Sequence, residues 1–131
     1  MNGGINSNVM AKKNYIRKEI KIPLFNQQVV IFVFKELQDA NEYFKFQDST
    51  KDKFKYMGAG VFEDVETGIF VITYEATLEY GIVAHESLHC TKRILERLGV
   101  KDEETEAYTL QYIVQQTIEW IEKKELELNK L

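Results

Sequence analysis

The chain contains very little cysteine, proline or histidine and has no long apolar run. Its 131 residues include one cysteine, one proline and two histidines. A single cysteine excludes a framework of internal disulfides and is typical of a protein in a reducing compartment. No segment approaches the roughly 20 apolar residues that are needed to span a bilayer. We therefore expect a cytoplasmic protein that does not enter the membrane.

An excess of basic residues is also absent. The formal net charge is −4, so no overall positive field favours binding to nucleic acid. At 131 residues the chain is long enough for one hydrophobic core, and we predict a single domain over residues 1–131. The start of the chain is polar and glycine-rich, and we expect residues 1–10 to be disordered.

The hydrophobic pattern predicts the element order β-β-α-β-β-α-α. Two hairpins are predicted, one from strands at residues 17–25 and 28–34, the other from strands at 59–64 and 69–75. Helical spacing predicts helices at residues 36–46, at 78–98 and from about Asp102 onward, while the charged segment 47–56 is predicted to be a loop. The expected fold is α+β, a small mixed or antiparallel sheet packed on helices.

The same periodicity predicts the caps and the buried faces of the two long helices. Thr77 and Asp102 are the predicted N-caps, and Gly99 is the predicted residue that ends the first of these helices. The predicted buried face of the first helix consists of Ala84, Leu88, Thr91, Leu95 and Leu98. The predicted buried face of the second consists of Ala107, Leu110, Val114, Thr117 and Ile121.

Both histidines of the chain fall in one HExxH motif, His85-Glu86-Ser87-Leu88-His89. On a helix, residues four apart lie on the same face, so both imidazoles can reach one metal ion. Glu86 adjoins the first histidine, where its carboxylate can accept a proton from metal-bound water. These residue types at this spacing predict a zinc hydrolase, with His85 and His89 as metal ligands and Glu86 as the catalytic base.

A third ligand is expected, because hydrolytic zinc sites usually have three protein ligands and one position for water. Cys90 is a poor candidate, since adjacent helical residues point about 100° apart, and we interpret it as a core residue. The acidic cluster Asp102-Glu103-Glu104-Thr105-Glu106 opens the next helix after a short turn. Periodicity places Glu103 on the inward face and Glu104 to one side, and does not by itself decide which carboxylate binds.

The two motifs together resemble the gluzincin pattern HExxH…ExxA, with Glu104-Thr105-Glu106-Ala107 as the second motif. The segment 81–121 is also similar to small metallopeptidase-like proteins of phages and mobile elements. The resemblance implies a minimal zincin-like domain with Zn²⁺ as its cofactor and a peptide or protein as its substrate. It also implies that Glu104 is the third zinc ligand, ahead of Glu103 and then Glu106.

The resemblance implies further roles around the metal. Such sites often add a side-chain donor to the oxyanion, and since no histidine is spare, Tyr108, Tyr112 and Tyr80 are the candidates. In zincins an edge strand runs along the cleft, and residues 69–75 occupy that place by chain order. We therefore expect this strand to bind an extended peptide by strand addition.

Other functions are compatible with the same residues. Two histidines and a glutamate can lie on a solvated helix face without binding metal, and the acidic cluster can serve only as favourable charge at a helix N-terminus. The metal could instead hold together a non-catalytic binding or regulatory protein. A third hypothesis is a mobile-element regulator that degrades one particular protein. The sequence does not indicate the oligomeric state, the substrate or the metal used in the cell.

Overall fold

A computed structural model describes residues 14–36, 38–44, 59–64 and 66–131. The predicted disordered start, residues 1–10, and the predicted loop at residues 47–56 lie outside the described residues. The four strands are β1 (Tyr15–Ile22), β2 (Gln27–Phe34), β3 (Ala59–Asp64) and β4 (Ile69–Glu75). The four helices are α1 (Gln38–Phe44), α2 (Tyr80–Leu98), α3 (Glu103–Lys123) and the short α4 (Glu125–Asn129).

The strands form one mixed sheet in the order β1-β2-β4-β3. β1 pairs antiparallel with β2, β2 pairs parallel with β4, and β3 pairs antiparallel with β4. The predicted α+β fold is therefore confirmed, and the observed order of elements differs from the predicted one only in the additional short helix α4. The parallel pair lies in the centre, where strands are buried on both faces, and this accounts for the almost continuous apolar run of β2.

The two faces of the sheet carry separate clusters of buried side chains. One cluster lies between the sheet and α2 and α3, and includes Ile31, Ile72, Ile94 and Ile113. The other lies on the opposite face beneath α1 and includes Phe32 and Phe34, whose rings stack. α2 packs on β3 and β4, while α3 packs on β1 and on α2. The long helices therefore lie side by side on one face of the sheet.

Two of the three predicted helix caps are confirmed. Gly99 adopts the left-handed conformation with φ of 71° after α2, and a side chain with a Cβ is strained there. Asp102 caps α3, since its carboxylate accepts a hydrogen bond from the backbone N–H of Thr105 at 2.9 Å. The prediction for Thr77 was wrong, because the N-cap of α2 is Glu79, which makes no capping side-chain hydrogen bond.

The predicted buried faces of α2 and α3 were rotated from the observed ones. On α2, Ala84, Leu88 and Leu98 are exposed, and the buried residues are Val83, Glu86, Ser87, Cys90, Thr91, Ile94 and Leu95. On α3, Ala107 is exposed, and the buried residues are Thr109, Ile113, Thr117, Trp120 and Ile121. Each helix contacts both the sheet and the other helix, so its buried face is wider than one stripe and centred elsewhere.

No helix in the described part of the chain is both long enough and apolar enough to cross a membrane.

Candidate metal centre

The two histidines of the HExxH motif face each other on the exposed side of α2. The Nε2 atoms of His85 and His89 are 3.2 Å apart, and their ring centroids are 4.8 Å apart. The side chain of His85 is 63% exposed, so solvent and substrate can reach this pair. The helical spacing of four residues thus brings the two imidazoles together as the motif predicts.

The separation of the two nitrogens is the one expected for ligands of a single tetrahedral ion. Zinc binds imidazole nitrogen at about 2.0–2.1 Å, so two such nitrogens lie about 3.3 Å apart around it. The observed 3.2 Å is close to that value. The same distance also allows a hydrogen bond between the rings when one of them carries its proton on Nε2. The pair therefore fits zinc without requiring it.

Glu86 lies beside the histidines but is turned toward the sheet. Its side chain is 5% exposed, and Oε2 lies 3.9 Å from Nε2 of His85. Below it, the ring of Tyr74 is fully buried, and burial followed by the charge of Glu86 raises the pKa of Tyr74 well above its ordinary value. Glu86 therefore borders both the exposed imidazoles and the buried core, and its carboxylate is shielded from bulk water.

Cys90 follows His89 in the chain but does not belong to the same surface. It is completely buried, and burial raises the pKa of its thiol to about 12. A thiol in this state is neutral at physiological pH, whereas a metal ligand must be a thiolate. The interpretation of Cys90 as a core residue agrees with this position.

The ion pair between Lys92 and Glu106 shows how α2 and α3 are aligned. Lys92 Nζ and Glu106 Oε2 are 2.9 Å apart, and near the other end of the pair Tyr80 donates a hydrogen bond to Glu122 at 2.7 Å. From Lys92 back to Tyr80 on α2, the partner residues on α3 run forward from Glu106 to Glu122. The two helices are therefore antiparallel. Residues of α2 and α3 at the same height can therefore be identified from this ion pair.

Glu104 does not lie at the height of the histidines. His89 precedes Lys92 by three residues, and Glu104 precedes Glu106 by two. In antiparallel helices these two offsets add, and at a rise of about 1.5 Å per residue they separate His89 from Glu104 by about 7.5 Å along the helix axes. Helical side chains also tilt toward their own N-termini, which directs His89 and Glu104 away from each other. Glu104 instead lines a surface cavity of about 560 Å³ with Pro23, Leu24, Thr105 and Tyr108.

In residues 14–36, 38–44, 59–64 and 66–131, no three His, Cys, Asp or Glu side chains form a group that could hold a metal ion. Of the three candidate acids, Glu106 is nearest in height to His89, and it is bound to Lys92. Glu103 and Glu104 are both exposed at the start of α3. The assignment of Glu104 as the third ligand therefore stays a prediction.

The three tyrosines named as oxyanion donors lie in different places. Tyr108 lines the cavity beside the β1–β2 turn, and its ring lies 6.3 Å from that of Tyr112, which packs against the main core. Tyr80 is in the first turn of α2, and its hydroxyl is bound to Glu122. None of the hydrogen bonds or ring contacts found for these tyrosines involves a residue of the HExxH motif.

The strand predicted to bind peptide was wrongly chosen. β4 is hydrogen-bonded to β2 on one side and to β3 on the other, so it has no free edge. β3 is the edge strand next to α2. Chain order alone could not distinguish the two strands. Because β4 pairs with β2, β3 is left at the edge of the sheet although it precedes β4 in the chain.

Two arginines near the site have roles that the sequence did not indicate. Arg93 donates a hydrogen bond from Nη1 to the backbone oxygen of Val61 in β3, at 2.7 Å. Arg97 forms an ion pair with Glu63 and donates to Gln27 and to the backbone oxygen of Gly68. Both contacts join residues about 30 or more positions apart, and no local pattern reports such a distance.

Comparison with protein-family models, with curated proteins and with solved structures found no match.

Proposed function

We propose that the protein is a zinc-dependent hydrolase that cleaves peptide bonds. His85 and His89 would hold the metal, and Glu86 would act as the general base. The observation that carries the proposal is the 3.2 Å separation of the two imidazole nitrogens on an accessible helix face. The shielded carboxylate of Glu86, 3.9 Å from one of them, supplies the second group that hydrolysis needs.

When bound, zinc lowers the pKa of a coordinated water toward about 7 and polarises a carbonyl oxygen. Glu86 would accept the proton of the attacking water at its carboxylate and return it to the leaving amine. The position of Glu86 suits this role, because its carboxylate lies 3.9 Å from the imidazole of His85. The exposed histidines would hold the metal at the surface of α2, where a peptide can approach.

The third ligand would be a carboxylate from the first turn of α3. The resemblance to gluzincins favours Glu104, whereas the alignment of the two helices favours Glu106. Zinc affinity of Glu104→Gln, Glu106→Gln and Glu103→Gln distinguishes them, because removal of a ligand weakens binding strongly and removal of a surface carboxylate does not. The resemblance predicts the loss in Glu104→Gln, whereas a loss in Glu106→Gln would favour the alignment of the helices. Equal affinity in all three would remove the carboxylate ligand from the proposal.

The direct test of catalysis is the Glu86→Gln variant, with Glu96→Gln as its control. Glu96 is an exposed glutamate of the same helix and lies outside the motif. With zinc supplied, we expect cleavage of a mixed peptide library by the unaltered chain and by Glu96→Gln, and a loss of about 10²–10⁴-fold in Glu86→Gln.

Zinc content should be equal in all three proteins, which separates loss of the base from loss of the metal. Cleavage that survives undiminished in Glu86→Gln would contradict the assigned base. Stoichiometric zinc without cleavage of any peptide would favour the alternative of a non-catalytic, metal-stabilised binding protein.

A further inference from the structure

We propose that Arg93 binds a carboxylate of the peptide, which makes the site selective for substrates with a negative charge close to the cleaved bond. The carboxylate could be the C-terminus of the peptide or the side chain of an acidic residue. This inference rests on the proposed function, since it concerns the substrate of the same site. It depends on where Arg93 lies, how it is held and which charges surround it.

Arg93 lies on the side of α2 that carries the candidate base. It follows Glu86 by seven residues, which returns a helix to within about 20° of the same direction, and it follows His89 by one turn. Helical side chains tilt toward the N-terminus of their helix, so the long side chain of Arg93 extends back toward His89 and Glu86. The side chain of Arg93 therefore leaves α2 on the same side as Glu86 and next to His89.

The guanidinium is held in place by the edge of the sheet. Nη1 donates to the backbone oxygen of Val61 at 2.7 Å, and Thr73 donates to the backbone oxygen of the neighbouring Gly60 from the β4 side. Backbone groups alternate in direction along a strand, so the oxygen of Val61 points away from β4. Arg93 thus spans from α2 to β3, which is the edge strand on this side of the sheet among the described residues, and lies beside the HExxH motif.

Most of the hydrogen-bonding capacity of Arg93 is not used within the described residues. A guanidinium has five N–H donors, and the bond to Val61 is the one hydrogen bond found for this side chain. A fixed guanidinium with several donors in one plane matches a carboxylate in two parallel hydrogen bonds. Because the guanidinium is already fixed, little side-chain freedom is lost when a ligand binds.

Charge distinguishes Arg93 from the other arginines. The chain has three, and Arg17 pairs with Glu19 while Arg97 pairs with Glu63. No ion pair with a described carboxylate was found for Arg93. The adjacent Lys92 is paired with Glu106 and lies on the α3 side of the helix. Arg93 is thus a fixed positive charge beside the motif whose partner can be supplied by the substrate.

The test measures peptide binding in the Glu86→Gln background, which prevents cleavage. The probes are N-acetylated five-residue peptides of alanine and leucine, ending in a free carboxylate, in an amide, or in an amide with one internal glutamate. Calorimetry with the zinc-supplied protein gives each affinity. We expect at least one of the two charged peptides to bind about tenfold more tightly than the neutral one, and the better of them identifies the source of the carboxylate.

Two substitutions of Arg93 and one of Lys92 distinguish a role of Arg93 in peptide binding from a role in structure alone. Arg93→Met should abolish the preference for the charged peptide and leave affinity for the neutral one unchanged. Arg93→Gln can still donate to Val61 but carries no charge, so it should behave as Arg93→Met does. Lys92→Met removes a neighbouring positive charge and should preserve the preference.

An equal preference in Arg93→Gln and in the parent would show that Arg93 only closes the edge of β3. Absence of any preference in the parent, or of any peptide binding, would also overturn the proposal. Failure of the proposed function would be recognised differently. The protein would still bind the charged peptide more tightly in a way that depends on Arg93, but it would cleave none of the three peptides. Hydrolysis of the same peptides by the chain with Glu86 intact is therefore measured in parallel.

Discussion

The two halves of α2 differ sharply in what their side chains do. In residues 80–89 both histidines are exposed and a carboxylate is buried. In residues 90–98 the inward side is filled by Cys90, Ile94 and Leu95, and the outward arginines are bonded to the sheet. One half therefore presents groups that suit chemistry, while the other half holds the helix in place.

This difference explains how the two exposed histidines can be held in fixed positions. The bonds of Arg93 and Arg97 hold the second half of the helix against β3 and against the neighbouring residues Gln27 and Gly68 at one end of the sheet. A rigid helix transmits that position to His85 and His89 one to three turns away, because helical geometry fixes their relative placement. The comparison predicts that truncation of the buried residues in 90–98 and loss of the Arg97 contacts reduce stability, and that substitutions in the motif change chemistry.

The largest effect on stability is expected from Ile94→Ala. Ile94 is completely buried between α2 and the sheet, so its truncation leaves a cavity in the main core. Such a substitution costs about 2–5 kcal/mol of the free energy of unfolding. Urea denaturation should show this loss, while zinc content of the folded fraction stays unchanged.

Leu88→Ala is the matched control in the first half of the helix. Leu88 is 36% exposed, so removing its side chain costs far less than removing a completely buried one, on the order of 1 kcal/mol. A loss in Leu88→Ala as large as that in Ile94→Ala would show that the two halves of α2 are equally important for stability.

A smaller loss is expected from Arg97→Met. The guanidinium of Arg97 donates to Gln27 at 2.5 Å and to the backbone oxygen of Gly68 at 2.8 Å, and it lies 4.6 Å from the ring of Phe70. Its side chain is 33% exposed and that of Glu63 is 40% exposed, so solvent screens the ion pair. We expect a loss of about 1 kcal/mol by urea denaturation.

Arg17→Met provides the comparison for Arg97→Met. Arg17 pairs with Glu19 on the same strand, and their side chains are 43% and 53% exposed. A surface pair within one strand joins no distant elements, so this change should be within about 0.5 kcal/mol of neutral. If both substitutions had the same effect, the anchoring role of Arg97 would be refuted.

A small effect that depends on pH is expected from Asp102→Ala at the start of α3. Hydrogen bonds from the side chain and then the backbone of Thr105 lower the pKa of Asp102 below its ordinary value. A lowered pKa in the folded state contributes stability above the unfolded pKa of about 3.9, and the contribution disappears as the pH falls through the folded value.

The melting temperature of Asp102→Ala should therefore lie slightly below that of the unaltered chain at pH 7. The two should converge as the pH falls below about 4. Asp102→Asn is the control, because asparagine keeps a capping oxygen without the charge, so its melting temperature at pH 7 should lie between those of the other two. A difference between Asp102→Ala and the unaltered chain that persists at low pH would contradict the role of the charge.

Much of the fold follows from local sequence patterns. The bounds of β3 and β4 were predicted correctly, because a turn ending in Gly68 separates two runs of apolar residues. Gly99 and Asp102 marked the helix ends, since backbone conformation and capping depend on the residue at one position. The strand order was not predictable in this way, because pairing of β2 with β4 joins segments that are distant in the chain.

The parts of the site that lie on one helix were predicted from the sequence, whereas the parts that depend on how distant elements pack were not. His85, Glu86 and His89 lie on one helix, so their spacing determines their relative positions. A ligand from α3 depends on how two helices are aligned, and this follows from contacts such as Lys92–Glu106 that have no sequence signature. The edge strand and the bond of Arg93 to Val61 depend on tertiary packing in the same way.

The most direct measurement of the central claim is the zinc content of the folded protein and of two single-histidine variants. Zinc is supplied, excess is removed by dialysis, and the metal is measured by elemental mass spectrometry. We predict about one zinc per chain in the unaltered protein, and loss of the metal in His85→Ala and in His89→Ala, each shown to be folded by circular dichroism. No bound zinc in the folded, unaltered protein, or equal zinc in all three, would contradict the account.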